Sequence, residues 1–150
     1  NWLATTFPNL YGGTSQNPNY LANKSNADVA KLFIKLFNGA NPKAGAQVMA
    51  TALSVFTTTN SLNTGSGSRA LATQYGFTLS NAGAGAALWD VASYGAAFSL
   101  PNNSTTSLLD LLKRVNAKAV KGKLYDGNQS LIKQANVVFS QINVAGDIGT

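Results

Sequence analysis

Ser130 and Lys133 stand at the spacing Ser-x-x-Lys, in which a lysine activates a serine hydroxyl for acyl transfer. The companion motifs of that chemistry, Ser-Asp-Asn and Lys-Thr-Gly, are absent from the chain, so the pair reads as two positions of an ordinary helix. Asp126-Gly-Asn128 resembles the start of a calcium loop, but its twelfth place holds Val137 where that loop needs an acid, and a turn is the plainer reading. Gly83-Ala-Gly85 lacks the third glycine of a dinucleotide-binding loop and is expected to serve close backbone packing. Paired carboxylates can cut a glycosidic bond. Here all five acids are aspartates (Asp28, Asp90, Asp110, Asp126 and Asp147), and they are well separated along the chain. Asp90, between Trp89 and Val91, draws most interest, because a buried carboxylate must be neutral or paired. A structural partner is expected for it. The chain has no Glu, His or Cys. That excludes an imidazole base, a thiolate nucleophile, a Cys/His zinc site and any disulfide. The chain is expected to be no enzyme and to carry no cofactor or metal.

Cations and aromatic side chains remain. Eleven basic residues against five acids give a net charge of +6. Five of the eleven fall in one stretch: Lys113, Arg114, Lys118, Lys121 and Lys123 form a candidate patch for an anion or acidic glycan. The competing reading is a solvated helix face with the loop after it. Trp2, Phe7, Tyr11, Trp89 and Tyr94 are candidate interface aromatics, and with Tyr20 and Tyr125 they include possible sugar-stacking rings. Core packing competes for the same residues. The sequons at Asn23, Asn102, Asn103 and Asn128 arise easily in a chain with 17 asparagines.

Charged residues are 11% of the chain, less than half of the usual share of about 25%, while hydrophobic residues are 45%. Polarity is carried by Asn, Ser, Thr and Gly. Such a surface hydrogen-bonds well but repels its own copies weakly. No run of 18 apolar residues occurs, so no membrane insertion is expected. The nearest stretch, 82–100, is broken by Asp90 and three glycines and suits a buried segment of small residues. The chain opens on Asn1 without a Met or signal peptide, so a processed product of a longer precursor, or an excised piece, is expected.

The elements that must position these residues form one domain over 1–150. Its expected class is mainly α: a compact helical domain of about five helices, with a small β-hairpin in the 77–100 region. Trp2, Leu3 and Phe7 suit one side of a helical turn that stops before Pro8. Asn26 is the expected N-cap of a helix whose apolar stripe is Val29, Leu32, Phe33, Leu36 and Phe37. A second helix is expected over 43–58, and a short one over 68–75 with Leu71 and Tyr75 inward. Residues 77–80 suit a short strand. Residues 88–91 and 96–100, around Ser93-Tyr94-Gly95, suit the hairpin, with a helix over 86–98 as the alternative. Ser104, Thr105 or Thr106 is the expected cap of a helix running to about Val120. Asn128 is the expected cap of a last helix, lined by Leu131, Ile132, Ala135, Val138, Phe139 and Ile142 and closed by Gly146.

Seven segments carry a resemblance. They are Trp2-Leu-Ala-Thr-Thr-Phe-Pro-Asn-Leu-Tyr-Gly12, Ala46-Gln-Val-Met-Ala-Thr-Ala-Leu-Ser-Val-Phe56, Tyr75-Gly-Phe-Thr-Leu-Ser80, Gly95-Ala-Ala-Phe98, Leu124-Tyr-Asp-Gly-Asn128, Val138-Phe-Ser-Gln-Ile-Asn143 and Gly146-Asp-Ile-Gly149. In this order they resemble a helical module from very large secreted surface proteins of aquatic bacteria such as planctomycetes and cyanobacteria. The resemblance implies an extracellular, envelope-associated location and brings no catalytic residue. Related modules continue upstream with a tract containing Trp and His; if that tract packs on the domain, an apolar groove open to another molecule is expected here. Together these readings lead to an extracellular structural subunit that self-associates into a fibre, filament or coat. The alternative is an adhesion module that binds acidic polysaccharide or another envelope polymer. Nucleic acid is not an expected partner, since no recognised motif for it is present.

Overall fold

The computed structural model describes residues 1–145. Gly146, expected to close the last helix, lies outside them, as does the 146–149 segment of the resemblance. Asn1 caps the first turn by accepting the Leu3 N–H on Oδ1 (2.9 Å), and α1 spans Trp2–Thr6. Pro8 then starts α2 (Pro8–Tyr11), where its missing N–H costs nothing. The expected helical turn ends before that proline, so this second turn is an addition to it. After a loop, α3 spans Asn26–Phe37. Its cap is Ser25, one residue before the expected Asn26. The Ser25 hydroxyl accepts the Asp28 N–H (3.2 Å), while Asp28 Oδ2 accepts the Ser25 N–H (3.2 Å), a reciprocal capping box.

Helix α4 (Ala44–Thr58) is the central element, packed by α3, by α5 (Ser68–Gln74), by α6 (Leu108–Ala117) and by α7 (Gln129–Ala145). Its small and apolar faces explain this. Ala46, Val48, Met49, Ala52 and Val55 are all buried. Phe7, Phe98, Phe139, Leu111, Leu112 and Ile142 fill the space around it. Each such side chain contributes about 1.5–3 kcal/mol on burial. Polar side chains join the two helices at their contact: Thr51 donates to Asn143 Oδ1 (2.9 Å), and Asn143 Nδ2 donates to Gln47 Oε1 (2.8 Å), tying α4 to α7.

The mainly helical class is as expected, with seven α-helices among the described residues, two of them single N-terminal turns. The hairpin differs. Strand β1 (Leu88–Asp90) pairs antiparallel with β2 (Thr105–Ser107), Trp89 opposite Thr106, and not with residues 96–100. Residues Ala92–Phe98 instead wind as a 3-10 segment. Gly95 forces this compact path: a side chain there would strike the Leu100 carbonyl, whose own N–H donates back to Gly95 O (3.0 Å). The β-branched Thr105 and Thr106 therefore extend the sheet, and the cap of α6 falls to Ser107, which accepts the Asp110 N–H (3.1 Å). Helix α6 ends at Ala117 rather than Val120, because Val120 and Lys123 close a tight turn by exchanging backbone hydrogen bonds (3.0 and 2.9 Å). Its central residues, Lys121 (φ 48°) and Gly122 (φ 81°), are both left-handed, the requirement of a type I′ turn. Asn128 caps α7 as expected, accepting the Leu131 N–H (3.2 Å). The expected strand at 77–80 is reduced to one bridge between Thr59 and Ser80.

Candidate functional site

The small-residue stretch 82–100 is packing material. Gly83 (φ 66°) leaves no room for a methyl group, which would meet Thr59 Oγ1 at 2.0 Å. A methyl at Gly85 would press on Val55 and Leu109. Three of the aspartates have local roles. Asp90 is exposed and accepts the Ala92 N–H (2.8 Å), turning the chain out of β1. Asp28 is held below the ordinary carboxylate range by the Ser25 hydroxyl and backbone N–H, with help from Lys31 and Lys24. Burial raises the Asp110 carboxyl, but the Arg114 guanidinium (Nε to Oδ2 2.6 Å) and the Thr106 hydroxyl (2.8 Å) outweigh it and lower the pKa. No group of three acids that could hold a metal occurs among the described residues. Ser130 and Lys133 both stand exposed on the first turns of α7.

The side chains of the basic stretch have different surroundings. Arg114 is engaged by Asp110 and by the Phe98 carbonyl (3.2 Å). Lys113 stands exposed on α6, and Lys118 caps that helix. Only Lys121 and Lys123 line hollows, in the 120–127 turn region. The structure gathers other cations instead: Lys24, Lys31 and Lys35 border one shallow cleft with Tyr20, and Asp28 is its acid. These lysines lie outside the 113–123 stretch and are spread over twelve positions of the sequence. The available signal was the i, i+4 pair Lys31 and Lys35, on the face of α3 opposite its apolar stripe.

The aromatic candidates divide. Phe7 and Tyr11 belong to the core, a correction to their reading as interface residues, and of the two only Tyr11 reaches a hollow. Their burial follows from α1 and α2 being single turns that can be stable only by packing. Trp2, Trp89 and Tyr94 are half-buried against the core. Trp2 lies edge-on to Phe7 (5.4 Å) and near Phe56 (5.8 Å), beside a hollow of about 170 Å³ that Leu53 and Val29 help to line.

The exposed apolar side chains were not the expected ones. Leu71 (52% exposed) and Tyr75 (75%) point outward, and only Ala72 of α5 is buried. Phe77, just after the helix, is also exposed (39%). The segment 60–82 forms a flap in which few residues, Asn63 and Ala72, are buried, and Asn63 Nδ2 ties it to the end of α4 by donating to Thr57 O (2.8 Å). Asn60 N–H donates to Ser80 O (2.9 Å), Ser80 N–H to Thr58 O (2.9 Å), and Arg69 Nε to Asn63 O (2.8 Å). A second apolar patch lies at the end of α3, where Ile34 (57%) and Phe37 (54%) are exposed and Lys43 Nζ sits 4.9 Å from the Phe37 ring. Family models, curated proteins and solved structures give no match to this chain.

Proposed function

We propose that the protein is an extracellular structural subunit that works by self-association, building a fibre, filament or coat. The observation that carries this reading is the flap, which presents Leu71, Tyr75 and Phe77 to solvent on a scaffold that buries almost nothing of its own. Large apolar side chains left exposed within one short segment suit a contact surface. Open-ended assembly needs two different surfaces per copy, and Ile34 with Phe37 supplies another. The low charge of the chain supports the same reading, since copies repel one another weakly. The likeness to modules of secreted bacterial surface proteins supports the outside location. Sedimentation velocity and electron microscopy over a concentration series test it. The wild type forms concentration-dependent polymers, and the variant Leu71→Ser/Tyr75→Ser/Phe77→Ser loses them while keeping its helical circular dichroism. A wild type that stays strictly monomeric at millimolar concentration overturns the reading.

A second reading, adhesion to an acidic envelope glycan, is favoured by one observation: the cleft that brings Lys24, Lys31 and Lys35 beside Tyr20. It predicts salt-sensitive binding to polygalacturonate that is lost when these lysines become alanine and is unchanged by Lys113→Ala.

A further inference from the structure

A further hollow lies between the start of α4, the start of α7 and the 120–127 turns. It measures about 330 Å³, within the range of small-molecule pockets. Leu10, Leu36, Val48, Leu124 and Ile132 give it apolar walls. Its space exists because the chain places Ala40, Ala44 and Gly45 where longer side chains would fill it.

Two groups in its lining lack a structural role. Tyr11 is only 2% exposed, yet its hydroxyl makes no hydrogen bond to a described residue. Tyr125 makes the contrast: similarly deep, it gives its hydroxyl to Ala97 O (2.7 Å). A phenylalanine at position 11 would pack equally well, so the hydroxyl that Tyr11 brings to the hollow serves no contact of the fold among the described residues. The second group is Lys123. The one ion pair among the described residues is Arg114–Asp110, so the Lys123 ammonium has no carboxylate partner there. Its tail lies against Gly127, where an added methyl would come within 2.9 Å of Cε. The turn that carries these residues is held in unusual backbone. Lys121, Tyr125 and Asp126 have φ of 48°, 52° and 49°, left-handed values that side chains disfavour, a kind of strain that gathers at binding sites.

We propose that this cleft binds a small amphipathic carboxylate, with its acid on Lys123 and Tyr11 and its apolar body against Leu36, Val48 and Ile132. The cation at the rim selects an acid, and the apolar walls select a carbon chain over a bare anion. The Tyr11 hydroxyl supplies the hydrogen bond that the fold leaves unused. The proposal stands apart from self-association and does not require it.

Isothermal titration of the full chain with octanoate tests it, with acetate as the probe lacking a tail. Octanoate binds at one site and acetate does not. Tyr11→Phe, which removes one oxygen and leaves the packing, weakens octanoate about fivefold. Lys123→Met weakens it about tenfold. Gly45→Met fills the cleft from a helical position where a Cβ makes only ordinary contact with Leu36 (3.4 Å), and it abolishes binding. Octanoate binding that survives Gly45→Met, or that falls with Lys123→Met but is indifferent to Tyr11→Phe, places the ligand on the open surface and overturns the proposal. So does a wild type that takes up no octanoate.

Discussion

Replacing Asn17 with alanine should destabilise the fold more than any other single asparagine change, and the structure gives the size. Asn17 is 3% exposed. Its Nδ2 donates to Leu10 O (3.1 Å) and Gly12 O (3.2 Å), and its Oδ1 accepts the Asn19 N–H (2.8 Å). Alanine removes three hydrogen bonds at a net value of about 0.5–1.5 kcal/mol each, so the loss is about 2–4 kcal/mol. For a domain of this length that lowers Tm by roughly 4–16 °C. Urea denaturation followed by circular dichroism reads it directly. Asn17→Asp sharpens the test. It keeps the acceptor for Asn19 but aims carboxylate oxygens at the Leu10 and Gly12 carbonyls, so at pH 7 it should be worse than alanine. The protonated acid can donate to those carbonyls, so the folded-state pKa of the new group lies above its unfolded value. Protons then bind the folded state more tightly, and stability relative to wild type recovers as pH falls through the folded pKa. A variant Asn17→Asp that is milder than Asn17→Ala at pH 7, or that shows no relative recovery by pH 4, refutes the donor role assigned to Nδ2.

Two further outcomes follow from the same bonds and contacts. The Asp110 carboxyl is held below its unfolded pKa, so its contribution is present above that unfolded value and is lost as pH drops through the folded one. Because Asp110 and Arg114 are more than a third exposed (37% and 36%), Asp110→Asn should cost less than about 1 kcal/mol at pH 7, and the difference from wild type should vanish near pH 2 in acid melts. Gly83→Ala should cost more than about 2 kcal/mol, since its methyl overlaps Thr59 Oγ1 at a left-handed φ of 66°. A loss below about 0.5 kcal/mol in thermal melts would contradict that packing.

The helices were legible because periodicity reports burial. The 3.6-residue recurrence in α3, α6 and α7 found Leu32, Leu112 and Phe139 on inner faces, where the structure has them. The short elements were not legible, because long-range contacts decide them. Thr105 and Thr106 qualify equally as caps and as strand residues, and only pairing with Trp89 selects the strand. Leu71 and Tyr75 stand four apart, which signals a shared face but does not say whether that face meets the core. In α5 it meets solvent, with the smaller Ala72 turned inward. At the candidate sites, composition gave the sign of the charge without its place. Lys24, Lys31 and Lys35 come together because the 14–25 loop runs back across α3, held by Leu21 N–H donating to Tyr11 O (2.8 Å), a return that no local pattern encodes.

The hydrogen bonds of asparagine side chains have a consequence for the medium in which the fold survives. Asn116 Oδ1 accepts the N–H groups of Asn9 and Leu10, Asn19 donates to Gly122 O, and Asn143 joins two helices, tasks that many domains give to ion pairs. Neutral amides neither titrate nor gather counterions, and the chain has no histidine to change charge near neutrality. Its cohesion should therefore vary little between fresh water and brine and across the pH range around neutrality.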